Sequence, residues 1–426
     1  MKFNTLLRAG SMRWAAPFIA FLTLFYSFFG ESVSLEEYRG YAPSLISEPL
    51  TTLYALAYAV AAALAVWESG RLRASGVWAL APARSRFSVA TNAVLPAVVL
   101  SWLVILVPAG LSLARANVLP TLGSLRFPVV ALVACVAYSV IGFSVGLKLP
   151  RVIAAPITAV VVWVCVAFTR AIQPYWIRHM SGQYAGLGFG ELSSFISLVP
   201  PILFVGGIAT AISLMWLPFR NKQLAAALSC AVCFTSVISG YEIAKSWGHA
   251  PPLVSGQAPM SCLGRTPEVC MPEVVSEDLA DVQEEAESVL GTLSEKGALD
   301  APSKVTDQLA NGRFWKKSSA EEWYIPLTSA AERGSVRYQV MLEAVRFSCE
   351  RPDPATAHAA LLWAASVTGQ VDGYEKRTVA TIRSEKAQRA EKQAQDMVRS
   401  ALKEPDQVQG VWFRKTLVDA CGRSSE

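Results

Sequence analysis

Four cysteines, Cys262, Cys270, Cys349 and Cys421, lie in the polar half of the chain, where thiols can pair or hold a metal. Cys262 and Cys270 enclose Pro267 in the stretch CLGRTPEVCMPE. Structural zinc favours C-x₂₋₄-C pairs with further Cys or His close by. The histidines of this half, His249 and His358, stand alone without ligand spacing, so no metal site is expected. An even number of cysteines in a polar region points to two bridges in an oxidising compartment. Of the three connectivities, Cys262–Cys270 with Cys349–Cys421 is the expected one; buried free thiols are the alternative.

Other chemical spacings lose their meaning in context. Cys230-Ala-Val-Cys233 has redox spacing but sits inside an apolar run, where small thiols pack. Gly142-Phe-Ser-Val-Gly146 matches a nucleophile elbow, which works only on a strand-to-helix turn. Inside an apolar run it reads as a small surface that lets another helix approach. Gly186-Leu-Gly-Phe-Gly190 follows no strand and is no nucleotide site. No G-x-x-x-x-G-K-[ST] occurs, so any ATP-driven machine served by this protein has its ATPase on another chain. His179, His249 and His358 are scattered and read as surface or satisfied residues. With no nucleophile–base pair, no enzymatic activity and no cofactor are expected.

The elements that carry these residues are mostly membrane elements. The 426 residues are 53% hydrophobic and 17% charged, against about a quarter charged in soluble domains. Apolar runs fall near 14–30, 49–67, 94–114, 127–147, 152–169, 195–217 and 224–240. Each is long enough to cross ~30 Å of hydrocarbon, with the first and last, at seventeen residues, at the short end. The first run lacks a small-x-small cleavage site and reads as a retained span. With the N-terminus inside, eleven Lys/Arg fall on inner segments and five on outer loops, obeying the positive-inside bias. A multi-pass plasma-membrane protein in a lipid bilayer follows, with a cytoplasmic N-terminus and an extracytoplasmic tail. No ionisable residue sits at the middle of a run, which argues against a proton-coupled transporter or ion pump.

Residues 1–241 carry a net charge of +10 and residues 242–426 one of −5. An acidic tail argues against nucleic acid, which needs a basic footprint. The expected division is a transmembrane domain over 1–241, a linker over 242–272 and a helical domain over 273–426. Ser276 is a good N-cap, and Leu279, Val282, Ala286, Val289 and Leu293 share one helical face. Further helical patterns occupy Val336–Phe347, Ala355–Val367, Glu375–Lys403 and Gln407–Ala420. No alternating β pattern appears, so the fold class is all-α throughout: a polytopic helical membrane protein of six or seven spans plus an all-α soluble domain.

The loop Trp67–Ala90, between the second and third runs, has the parts of a short docking helix. Glu68 and Gly70 stand at its entry, Trp78 on an apolar side, and Pro82 at its exit. Arg84 and Arg86 follow, placed to hold phospholipid headgroups. In this loop the chain resembles the ABC-2 type permease family, whose second-to-third loop reads Glu-x-Gly, an apolar stretch, then Pro and Arg. The segment Arg170–Ser194 lies where that family places short extracellular re-entrant helices, and the first six spans agree in number. The resemblance covers about residues 10–220; a longer Gly-to-Pro interval, a seventh span and the tail depart from it. The whole layout, including CLGRTPEVCMPE, is similar to an uncharacterised actinobacterial membrane-protein family with ABC-2-like membrane halves. It implies transport as a permease-like subunit, a separate ABC ATPase as partner, and room for a homodimer. A membrane-anchored extracytoplasmic binding or scaffold protein is the alternative.

Overall fold

The computed structural model describes residues 11–29, 40–79, 85–217, 219, 221–314 and 316–422. The chain divides into two compact units, Met1–Gln257 and Ala258–Glu426.

In the first unit, α1 (Met12–Phe29), α2 (Ala42–Ala74), α3 (Arg86–Arg115), α4 (Arg126–Lys148) and α5 (Arg151–Ala167) follow the first five apolar runs. A short α6 (Trp176–Ser181) precedes α7 (Phe195–Leu214) and α8 (Lys222–Ala244). Among the described residues, six helices are long and apolar enough to cross a membrane: α2, α3, α4, α5 with its 3-10 extension to Arg170, α7 and α8. The eighteen residues of α1 rise about 27 Å, slightly less than the hydrocarbon thickness. The last span is longer than its apolar core. Asn221 caps α8 by accepting from the Gln223 and Leu224 amides, and the helix then runs 23 residues, about 35 Å. In α7 the Pro200–Pro201 pair, which donates no backbone N–H, precedes a π turn over Ile202–Gly206.

At 33 residues α2 measures about 50 Å and overreaches the bilayer. It is the hub of the unit, buried along most of its length against α3, α4 and α5. Two glycines of α4 make that contact close. A Cβ on Gly142 would fall 2.2 Å from the Ala62 carbonyl oxygen, and one on Gly146 2.2 Å from that of Val66. The elbow-like Gly-x-x-x-Gly spacing is therefore a helix contact.

The second unit is not all-α, and this corrects the expected fold class. Strands β3 (Met260–Leu263), β4 (Glu268–Pro272), β5 (Lys304–Asp307) and β6 (Glu322–Ile325) form one sheet in that order; β1 (Leu192–Ser193) and β2 (Leu253–Val254) belong to the first unit. The first pair is antiparallel; β4, β5 and β6 run parallel. Parallel neighbours need a long crossover, supplied between β4 and β5 by α9 (Leu279–Glu295). The strands are four or five residues long and β4 is buried at four consecutive positions, so no period of two is visible. The sheet begins inside the stretch 242–272 expected as linker. Ser276 lies in a 3-10 turn before α9 and does not cap it.

Of the remaining helices, α10 (Leu327–Glu332) was not anticipated and α13 (Val371–Arg377) starts before its predicted pattern, while α11 (Val336–Ala344), α12 (Pro354–Val367), α14 (Glu385–Ala401) and α15 (Asp406–Gly422) fall on theirs. The single helix expected over Glu375–Lys403 is interrupted between Arg377 and Glu385, and Ser384 caps the second part. All five predicted face residues of α9 are buried. They join a core centred on Trp363, which stacks on Phe413 at 4.7 Å and donates to Gln409 Oε1 at 3.2 Å.

Candidate functional site

The expected docking loop resolves differently from its sequence reading. No strong helix breaker stands between Pro49 and Ser75, so α2 continues through Glu68 and Gly70. Glu68 is 4% exposed and accepts from the Ser11 amide and hydroxyl at 2.8 and 2.7 Å while pairing with Arg71 at 2.6 Å. A Cβ on Gly70 would lie 2.5 Å from the Cβ of Arg151, so this glycine lets α5 start against α2. Both residues therefore lie inside the packing and not at the entry of a free helix. Trp78, in a 3-10 turn, sits edge-on to Phe143 at 6.5 Å. Arg86 opens α3 behind the Ser85 cap and is exposed. Pro82 and Arg84 lie outside the described residues. Among the described residues of this loop, Arg73–Gly76, Ser85 and Arg86 are exposed.

The polar constellation of this unit lies instead in the segment between α5 and α7. It folds back among the spans. Arg178, His179, Gln183 and Glu191 are each 1% exposed or less. Gly182 has φ +80, which turns the chain after α6. The following glycine-rich loop lies flat on the first half of α2. Tyr58 donates to the Gly182 carbonyl at 3.0 Å, Gln183 Nε2 to the Thr51 carbonyl at 2.6 Å, and the Leu187 amide to Ser47 Oγ at 2.8 Å. Ser44 donates to the Gly188 carbonyl at 2.8 Å, and Tyr184 stacks on Phe127 at 4.1 Å. A side chain at Gly186 would meet Glu48 Oε2 at 2.0 Å. The glycines of GLGFG thus serve close approach, as a site without a preceding strand should.

The chain returning from α8 closes over this segment. Strand β1 (Leu192–Ser193) pairs antiparallel with β2 (Leu253–Val254). Arg178 Nη1 donates to His249 Nε2 at 2.8 Å and to the His249 carbonyl at 3.2 Å. His179 Nε2 lies 2.9 Å from the Gly248 carbonyl. A carbonyl only accepts, so Nε2 carries the hydrogen and Nδ1 is a bare lone pair with no donor among the described residues.

Burial is the largest cause pulling the His179 pKa down, to about 4; the Gly248 carbonyl opposes, and Arg178 and His249 add to the fall. The imidazole is neutral at pH 7. Because the unfolded chain binds this proton near pH 6.5 and the folded chain only near pH 4, folding is favoured above that window. Stability falls as pH drops through it. Melting of the detergent-solubilised chain is expected to weaken between pH 6.5 and 4, and His179→Gln to flatten that dependence. An unchanged slope would contradict the assignment.

His249, 71 residues beyond Arg178, is brought onto the adjacent pair Arg178 and His179, and Gln183 and Glu191 were missed by sequence reasoning. The available signal was charge: Arg178 and Glu191 are the only Lys, Arg, Asp or Glu in residues 171–194, and charge is costly to bury.

In the second unit both expected pairings are formed. Cys262 and Cys270 oppose each other across β3 and β4, and Cys349 is bonded to Cys421 near the end of α15. Glu268 lies beside the first pair, close enough for the three to resemble a metal cage, but the bridge consumes both thiolates that a metal would need. His358 is satisfied, its Nδ1 3.0 Å from Glu391 Oε2, which also accepts from Tyr374 at 2.6 Å. Cys230 and Cys233 remain unpaired thiols on α8. Compared with known proteins, the chain matches no family model, no curated protein and no solved structure.

Proposed function

We propose that the chain is a permease-like membrane subunit of an ABC-2 type export system, working with a separate ATPase. The observation that carries this reading is the folded-back segment 171–194. Its buried Arg178, His179 and Glu191 and its hydrogen bonds to α2 exceed what an anchor requires. A plug of this kind at one end of a helix hub suits a path that opens when the spans tilt. The orientation follows the positive-inside bias, with the N-terminus and the turn after α2 cytoplasmic and the disulfide-bonded tail outside.

Since Glu68 and Gly70 are packed inside, the ATPase would engage the exposed Arg73–Gly76 turn and Arg86. Affinity purification of the tagged chain from native membranes is expected to recover a nucleotide-binding subunit. Arg73→Glu with Arg86→Glu is expected to lower its recovery at unchanged membrane levels. Recovery of no such subunit would sink the transport reading.

The second reading, a membrane-anchored extracytoplasmic binding or scaffold protein, rests on the uncharged centres of the apolar runs and the self-sufficient core of the tail. It predicts partners that survive truncation of α1 to α7 but not loss of residues 258–426.

A further inference from the structure

A long apolar slot runs between α1, α2 and α5. It consists of two adjoining cavities of about 460 and 410 Å³ that share Ala15, Phe18, Ala63, Leu64 and Ala159. One end is framed by Trp14 and Trp67, the other by Tyr26 and Trp163. Small residues on α2 and α5, Ala59, Ala63, Ala155 and Ala159, form its floor and wall. Ser11, on its lining, already donates its hydroxyl to Glu68.

The two ends differ in charge. At the Trp14/Trp67 end, the Arg13 guanidinium lies 4.8 Å from the Trp14 ring and that of Arg151 5.1 Å from the Trp67 ring. Neither arginine forms an ion pair among the described residues, whereas neighbouring Arg71 is paired with Glu68. Indoles with cations beside them are the side chains that settle at headgroup level. From Ser11 to Tyr26 the slot follows α1 for about 22 Å, longer than the ~15 Å of one leaflet's hydrocarbon, so a whole acyl chain can lie in it.

We propose that this slot is a binding site for one anionic phospholipid, its acyl chain along Phe18, Ala63 and Ala159 and its phosphate between Arg13 and Arg151. The cationic end supplies selectivity for negative headgroups. Bound there, the lipid would fill the gap between α1 and the α2/α5 pair and hold α1 in place. The site is independent of any ATPase partner.

The test uses the full chain in phosphatidylcholine nanodiscs with a trace of phosphatidylglycerol bearing a photoreactive acyl chain, followed by peptide mapping. Label is expected on the peptides around Trp14–Tyr26 and Ala155–Trp163, above the level on α8, which is long and apolar enough to span and is less covered than α5. Arg13→Gln with Arg151→Gln should reduce this labelling by about tenfold, while a photoreactive phosphatidylcholine labels both forms alike. Ala159→Phe, which fills the slot and leaves the charges in place, should abolish slot labelling without changing the elution volume. Equal labelling by both lipids, label spread evenly over α8, or persistence in Ala159→Phe would overturn the proposal. So would a cross-linked dimer joined through α1 and α5, which would mean that a second copy covers the slot.

Discussion

Replacing Cys349 and Cys421 by serine is expected to destabilise the second unit by about 4 kcal/mol, because the bridge closes a loop of 72 residues in the unfolded chain. Cys349 follows α11 and Cys421 lies in the last helix, so the bridge holds α15 onto the core. The same ends are already joined by the Asp353 amide donating to the Ala420 carbonyl at 2.8 Å. For a unit of this size the loss corresponds to a fall of about 10 °C or more in melting temperature. Serine at Cys262 and Cys270 should cost less, about 2.5 kcal/mol, since that loop spans only eight residues. Thermal melts of the full chain, oxidised and reduced, read both effects. A double-serine variant at 349 and 421 that melts with the oxidised parent would contradict the bridge's structural role.

The second large effect is expected at Gly146. A leucine there would drive its Cβ into the Val66 carbonyl and Ser69 hydroxyl, at 2.2 and 2.0 Å. Backbone atoms of a helix hub cannot move aside cheaply, so α2 and α4 must separate. Overpacking usually costs about 1–3 kcal/mol and here should exceed that, since the buried face of α2 loses contact over several turns. Size-exclusion profiles in detergent should show little monodisperse protein for Gly146→Leu. The same change at Gly110, where a Cβ meets nothing within 4 Å, should leave the profile intact. Similar profiles for the two variants would mean that the close contact between α2 and α4 is not what holds the unit together.

These contrasts also mark how much could be read from residue order alone. Apolar runs of about twenty residues announce helices because each must satisfy its backbone within the bilayer, and every run is a helix here. Their ends were less legible. α2 extends past its run in both directions because Ala42–Ser47 and Glu68–Gly70 are buried by other segments, and such burial leaves no periodic trace in the sequence. Short strands suffered in the same way. Val269, Cys270 and Met271 are buried on both faces of β4, which erases the alternation that identifies a strand.

The candidate site was legible only in parts. The two bridges followed from counting cysteines in a polar region. Gly142 and Gly146 followed from their spacing. Arg178, His179 and His249 could not be joined in advance, because His249 returns to α6 only after two further spans. Glu68 and Gly70 looked like loop residues by their types. The ion pair with Arg71 and the approach of Arg151 turn them into packing.

In the proposed topology the turn after α2 and residues 258–426 lie on opposite sides of one membrane. Impermeant thiol labelling of intact cells tests it, using Ser75→Cys in the exposed turn and the four tail cysteines freed by an impermeant reductant. The account predicts that the tail labels only after reduction and that Cys at position 75 labels only after lysis. Labelling of position 75 in intact cells, or a tail that stays silent until lysis, would contradict it.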